Sequence, residues 1–319
     1  MLQFEHVQQA ARALRDHAVF TPCVRVAWLD EYVHGPVYCK LEHLQRTGSF
    51  KFRGALNSIL QLEETVAARG IVTASAGNHG LGVATAAALR NCKAKIFVPE
   101  NVASAKRHKL QALGVELIVT GKDYDETDAA GQAYAREHDL RFIHAFDDDE
   151  VIAGQGTVGL EIAAQCENLG IVLVPVGGGG LPGGVSMAIK SSLPNPKIFG
   201  IQSEASPAMH AALAHGRVIE TPIEETIADG LAGRFVTEKT LRLAQQYYDG
   251  MLLVREHNIR RAMRELFYRQ GWRGEGSAAV GVAAILEGQI NAAGRACVAV
   301  ISGGNIAEEV FAQAIQTSS

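Results

Sequence analysis

From Ile71 onward, short apolar runs rich in β-branched residues alternate with longer segments whose apolar residues recur every three or four positions. The short runs are Ile71 to Ala74, Lys95 to Val98, Glu116 to Val119, Ile171 to Val176, Lys197 to Gln202 and Cys297 to Ile301. The longer ones are Leu81 to Leu89, Ser104 to Leu113, Asp123 to His138 and Val151 to Leu169. Short apolar runs read as buried strands and the 3.6-residue period as helices. Their repetition assembles most economically into mostly parallel sheets with helices on both faces, so the fold class expected is α/β. No repeat, low-complexity tract or Pro/Ser linker interrupts the chain, so a second domain should be inserted rather than appended. The division expected is a large domain from residues 1–69 and 149–319, with a small α/β domain at 70–148.

Three glycine-rich stretches join these strands to the helices that follow. They are Ser75-Ala76-Gly77-Asn78-His79-Gly80, Gly177 to Gly184, and Ser302-Gly303-Gly304-Asn305. In open parallel sheets ligands gather at this carboxyl edge. The second stretch sets four glycines after a buried strand and before a helix expected to start near Gly183. Backbone amides can converge on an anion there, and the helix dipole adds to the attraction. A phosphate is the expected ligand, although a tight turn made only for packing is the alternative. The pattern matches neither the mononucleotide loop nor a clean dinucleotide fingerprint. Ser75 and Asn78 of the first stretch could bind a carboxylate, and helix capping explains them equally well.

Composition excludes several partners. The formal net charge is −4 and basic residues form no extended cluster, which argues against nucleic acid. The five cysteines are scattered without metal spacing, which reads as a reducing compartment. Residues 1–20 lack the apolar core of a signal peptide, and no run has the length of a membrane span. A cytoplasmic enzyme acting on a small molecule is expected.

The segment Tyr38-Cys39-Lys40-Leu41-Glu42-His43-Leu44-Gln45-Arg46-Thr47-Gly48-Ser49-Phe50-Lys51-Phe52-Arg53-Gly54-Ala55 resembles the cofactor-lysine region of the fold-type II pyridoxal-phosphate enzymes, in particular the threonine/serine dehydratase group. The three glycine stretches, Thr226 to Ala232, and Gly274-Glu275-Gly276-Ser277-Ala278 join it in the order of that family. The resemblance implies a two-domain fold like that of the tryptophan synthase β chain, with pyridoxal 5'-phosphate as cofactor. Lys51 would carry the cofactor as a Schiff base; its amine, with an ordinary pKa of about 10.4, must be partly neutral to condense with an aldehyde. Phe50 would pack under the ring. Gly177, Gly178, Gly179, Gly180 and Leu181 would cradle the phosphate, and Asn78 would meet the ring hydroxyl. Ser75, Ala76, Gly77, Asn78 and His79 would form the substrate-carboxylate loop, with a locally satisfied helix-start residue as the alternative for His79. Ser302 would meet the pyridine nitrogen, where a neutral hydroxyl makes the ring a poorer electron sink and favours elimination over transamination. Glu275 is placed near the ring, and a helix-start glutamate is its alternative.

The reaction implied is loss of water from a small β-hydroxy amino acid of the L-threonine or L-serine type, giving a 2-oxo acid and ammonia. Lys51 would remove the α-proton. The proton for the departing hydroxyl would come from the cofactor phosphate or from Lys51. Racemising relatives carry a serine where this chain has Ala76, which argues against a serine racemase. A single Glu204 after the strand ending near Gly200 is too few oxygens for a divalent metal, so none is expected. Lys122 among Asp123, Asp125, Glu126 and Asp128 disfavours a doubly charged substrate. The end of the chain at Ser319 implies no isoleucine-binding regulatory domain, and a catabolic role. Trp272-Arg273 and Ala228 to Phe235 depart from the common pattern and leave phenylserine or a hydroxyectoine-derived amino acid open, with solvent-facing flank charges as the alternative for Arg273 and Arg234. A β-replacement synthase and a non-catalytic phosphate-binding protein are the remaining readings. Family habit implies a homodimer.

Overall fold

A computed structural model describes residues 2–316. Ten strands lie among them: β1 (Cys23–Arg25), β2 (Val37–Leu41), β3 (Ile71–Ala74), β4 (Ala94–Val98), β5 (Glu116–Val119), β6 (Arg141–Phe142), β7 (Leu169–Pro175), β8 (Lys197–Ser203), β9 (Gly250–Val254) and β10 (Ala296–Ile301). They form two sheets, in the orders β5-β4-β3-β6 and β1-β2-β10-β7-β8-β9. Every pairing is parallel except β1 with β2. The six strands expected from apolar runs are all present within two residues of their expected ends. The chain divides into two compact units, Met1–Ala18 with Lys51–Gln155, and Val19–Phe50 with Gly156–Ser319.

The first unit holds the four-stranded sheet. Alternation along its strands sends Val72, Ala74 and Phe97 to one face, packed with Ala135 of the helix Tyr124–Glu137. Ile96 and Val98 go to the other face, against Leu81 and Ala84 of the helix Asn78–Leu89 and Leu110 of the helix Ser104–Gln111. Both faces are therefore covered, as all-parallel sheets require. The helix Lys51–Leu60 buries Phe52, Ala55, Leu56 and Ile59 with Val83 and Ala87 of the helix Asn78–Leu89. Where these helices meet, a Cβ on Gly82 would stand 3.2 Å from the backbone of Lys51 and Phe52. Glycine there lets the second helix press directly against the first residue of Lys51–Leu60.

That packing moves the boundaries. The division expected at residues 70 and 148 differs from the observed units, because the N-terminal segment up to Ala18, Lys51–Arg69 and the start of the helix Asp149–Gln165 cluster with the smaller sheet. This last helix was expected over Val151 to Leu169. It ends at Gln165 because the chain turns through Asn168, at a left-handed φ of 50°, and Leu169 already begins β7.

The second unit holds the six-stranded sheet, again covered on both faces. Ile171, Leu173, Cys297, Ala299 and Ile301 pack on the helix Gly276–Leu286, every residue of which is buried. Val172, Val174, Val298 and Val300 pack on Val158, Ile162, Leu181, Val185 and Ile189. Strand β2 was not evident from sequence. It carries Lys40, fully buried, whose amine is bonded to Glu161, to Gln165 (2.9 Å) and to the Thr21 carbonyl (2.6 Å).

Candidate active site

In the first unit Lys51 opens its helix, and its Nζ donates to the carbonyl of Ala145 at 2.8 Å. The turn after β3 runs from Ser75 to Gly77, and the next helix begins at Asn78. Its N-cap is Gly77, with no side-chain cap. The capping explanation for Ser75 and Asn78 therefore fails: Asn78 is the first helical residue, and Ser75 Oγ instead accepts from the Gly77 amide at 3.2 Å. The amides of a first helical turn have no intrahelical acceptors, so this end of the helix is suited to a carboxylate.

His79, only 2% exposed, has Nε2 3.1 Å from the Ile143 carbonyl. Burial, and then the charge of Lys51, push its pKa down to about 3, so the ring is neutral. The segment that follows β6 thus holds His79 at Ile143 and Lys51 at Ala145. Between them His144 turns its ring inward, and Nδ1 accepts from the amides of Phe146 (3.2 Å) and Asp147 (2.9 Å). Burial lowers the His144 pKa against the opposing pull of Asp128, and burial raises that of Asp128 against the pull of His144. Sequence reasoning missed His144 and these carbonyls, and took Asp128 only as one of the acidic residues beside Lys122. No local pattern marks them, because their importance comes from contacts made across the fold.

In the second unit β7 runs into the glycine turn. The Val176 amide bonds to Ile201, the last link to the sheet, and Gly177 lies against Gly230 and Leu231. Gly179 has φ +98°, and a Cβ there would come 2.8 Å from Met209 Cε and Thr240 Cβ. Only glycine satisfies both the left-handed backbone and the lack of room. The helix starts at Gly180, three residues earlier than expected, because Pro182 fits the first turn, where no N–H is needed. Among the described residues no acceptor is found for the amides of Gly178, Gly179, Gly180 or Leu181. Four bare amides at a helix N-terminus fit a phosphate.

Also in this unit, β10 delivers Ser302, 3% exposed, whose carbonyl accepts from the Phe50 amide at 3.0 Å. Phe50 packs on the Val158–Val185 side of the sheet. Glu275 is the N-cap of the helix Gly276–Leu286 but makes no side-chain cap. Its amide donates to the Gly303 carbonyl at 3.1 Å, and its Oε1 stands 2.7 Å from where a Gly303 Cβ would be. The carboxyl therefore lies beside the Ser302–Gly303 turn. Arg273 bonds to Glu308 and to the Ile306 carbonyl and sits 5.0 Å above the Phe311 ring. Those bonds commit it to its own unit.

Residues 14–303 match the family model described as pyridoxal-phosphate dependent enzyme. An L-threonine ammonia-lyase of Thermotoga maritima is 41% identical over 306 residues, covering 96% of this chain and 76% of that protein. The protein named L-threonine dehydratase catabolic TdcB of Staphylococcus aureus strain N315 is 39% identical, covering 94% and 88%. Among solved structures, processed threonine deaminase isoform 2 from Solanum lycopersicum has a TM-score of 0.91 at 33% identity, covering 98% and 92%. Serine racemase from Dictyostelium discoideum has 0.89 at 33%, covering 96% and 99%. This chain therefore belongs to the pyridoxal-phosphate dependent enzyme family, with the fold-type II architecture.

Proposed function

We propose that the chain is an ammonia-lyase that removes water from L-threonine or L-serine and releases a 2-oxo acid and ammonia. The observation that carries this reading is the likeness, over 94–96% of the chain, to proteins named L-threonine ammonia-lyase and catabolic L-threonine dehydratase.

When bound, pyridoxal phosphate supplies an aldehyde for an amine and a ring that withdraws electrons from the α-carbon. The amides of Gly177 to Leu181 would hold its phosphate, Lys51 would hold it covalently, and Asn78, Phe50, Ser302 and Glu275 would meet its ring, Ser302 with a neutral hydroxyl. The amides of the Ser75 to His79 turn would hold the substrate carboxylate. Lys51 would act as general base on the α-proton. The Ala145 carbonyl orients the amine for that step.

A racemase reading has support from the serine racemase likeness. Ala76 stands against it, since a methyl group cannot return a proton to the opposite face of the α-carbon. The assay is 2-oxo acid and ammonia release from L-threonine, L-serine, phenylserine and hydroxyectoine-derived amino acids by purified, cofactor-loaded protein. Equal amounts of both products from threonine are expected. D-Serine formed from L-serine without 2-oxo acid would overturn the proposal. We place the enzyme in the cytoplasm as a homodimer; among the described residues no helix is long and apolar enough to cross a membrane. Light scattering checks the dimer.

A further inference from the structure

In the first unit one peptide group joins the Lys51 amine to an aromatic side chain. Lys51 Nζ donates to the Ala145 carbonyl at 2.8 Å. In a trans peptide that oxygen lies about 3 Å from the Cα of the next residue, so Phe146 Cα is within about 6 Å of the amine. A base must come within hydrogen-bond reach of the proton it removes, and the substrate β-carbon is one bond from the α-carbon. Whatever the β-carbon carries is then also within about 6 Å of Lys51 Nζ. A phenyl side chain on Phe146 spans that gap.

The ring is held in place. His144 Nδ1 accepts from the amides of Phe146 (3.2 Å) and Asp147 (2.9 Å), and the His144 ring meets the Phe146 ring edge to face, with centroids 4.6 Å apart and planes at 85°. One histidine thus fixes both the backbone and the side chain of Phe146. Neighbouring apolar side chains are committed elsewhere: Phe52 is fully buried between the helices, Ala76 packs toward Leu81 and Leu110, and Ala145 is buried. Phe146 is only half-buried. Among the described residues it joins neither of the cores that cover the smaller sheet nor the core between the helices. A clamped aromatic ring with free surface beside a base is suited to an apolar group of a ligand.

We infer that Phe146 is a specificity-determining residue, its ring forming the wall on which the β-methyl group of L-threonine packs, which favours threonine over L-serine, where a hydrogen takes the place of that methyl. The methyl leaves water when it meets the ring, whereas serine leaves part of the ring face wet. The inference rests on the ammonia-lyase reading with Lys51 as the base.

The cofactor-loaded enzyme tests this as a ratio. In the wild type kcat/KM for 2-oxo acid release should be roughly 10-fold or more higher with L-threonine than with L-serine, and Phe146→Ala should bring the two within about threefold by loss on threonine. Phe146→Leu keeps an apolar side chain and should keep most of the preference. General damage to the fold lowers both substrates together, so an equal fall in Phe146→Ala overturns the inference, as does a preference that survives it. Binding without turnover gives a second readout, because L-2-aminobutyrate carries a β-methyl, L-alanine does not, and neither has a hydroxyl to lose. The wild type should bind L-2-aminobutyrate roughly tenfold tighter, read from the cofactor absorbance, and Phe146→Ala should bind both alike. Equal affinities in the wild type refute the wall even if no variant folds. Weaker pyridoxal phosphate binding by Phe146→Ala with the threonine preference intact would make the ring a cofactor contact and overturn the inference too. The two levels separate cleanly: a wild-type protein that releases no 2-oxo acid from either amino acid sinks the ammonia-lyase reading, whereas turnover with an unaltered ratio in Phe146→Ala sinks only the role of Phe146.

Discussion

The two strand-to-helix turns, one in each unit, solve a similar problem with opposite materials. After β3 the turn is built from side chains: Ser75 accepts from Gly77, Asn78 opens the helix, and His79 is buried behind it. After β7 the turn is almost bare main chain, with Gly179 in a left-handed conformation and Pro182 in the first helical turn. The first can be tuned one group at a time and can titrate. The second has nothing to titrate and is damaged by adding atoms rather than by removing them.

The sharpest separation of chemistry from grip should come from Lys51→Ala. It removes the proposed base and leaves the glycine turn untouched. Turnover of threonine should fall at least about a thousandfold, while pyridoxal phosphate still binds, now without a covalent link. Dialysis after borohydride treatment reads this directly, because cofactor retained by the wild type should wash out of the variant. A variant that still turns over threonine would break the comparison.

Acid should next distinguish the turns. In an unfolded chain His79 takes a proton near its ordinary pKa of 6.5, but in the folded unit only near 3. The unfolded state thus binds more protons across that window, so the stability from the neutral ring is complete above about 6.5 and is lost as pH falls toward 3. Hydrogen exchange should show residues 75–89 and 143–146 losing protection over this range, by an equivalent of a few kcal/mol, before residues 177–192 do. Equal loss in both segments would mean that the buried ring is not what makes the first turn sensitive.

Adding one methyl group tests the other turn. Gly179→Ala forces a side chain into a positive-φ site and toward Met209 and Thr240. The Met209 methyl can swing away, but Thr240 Cβ is fixed to its helix. We expect a loss of about 1–3 kcal/mol, seen as a lower Tm, together with weaker cofactor binding. Unchanged affinity would remove the glycine turn from the phosphate site.

What could be read from sequence follows the same division. Strands buried on both faces are continuous apolar runs, so β3, β7 and β10 stand out, and the glycine stretches mark their ends; β4 and β8 are largely buried, and β5, an edge strand with Glu116 and Val119 exposed, shows only by its β-branched residues. β2 does not, because Lys40 interrupts it; its burial depends on Glu161, which lies 121 residues away. The helix Gly276–Leu286 has no polar face, so it lacks the periodic pattern that reveals a surface helix. Leu169 extends the apolar pattern of the preceding helix, and only the turn at Asn168 ends it. At the site the residue types were legible, but hydrogen positions were not: the tautomer of His79 is set by a carbonyl 64 residues away.

The smallest effect makes the most direct test, because the same substitution can be placed in the first turn and in the helix that follows the second. Ser75→Ala removes the acceptor of the Gly77 amide and should cost about 1 kcal/mol. Since that turn is assigned to the substrate carboxylate, KM for threonine should rise severalfold with kcat held. In the second unit Ser186 Oγ donates to the Gly183 carbonyl at 3.1 Å, within its own helix. A hydroxyl bonding back to a helix carbonyl adds little stability, and Ser186 contributes nothing to the main-chain cradle. Ser186→Ala should therefore change stability by less than about 0.5 kcal/mol and leave both KM and cofactor affinity where they were. If the two substitutions instead gave matching losses in KM, the contrast between a turn made of side chains and one made of backbone would have no functional meaning.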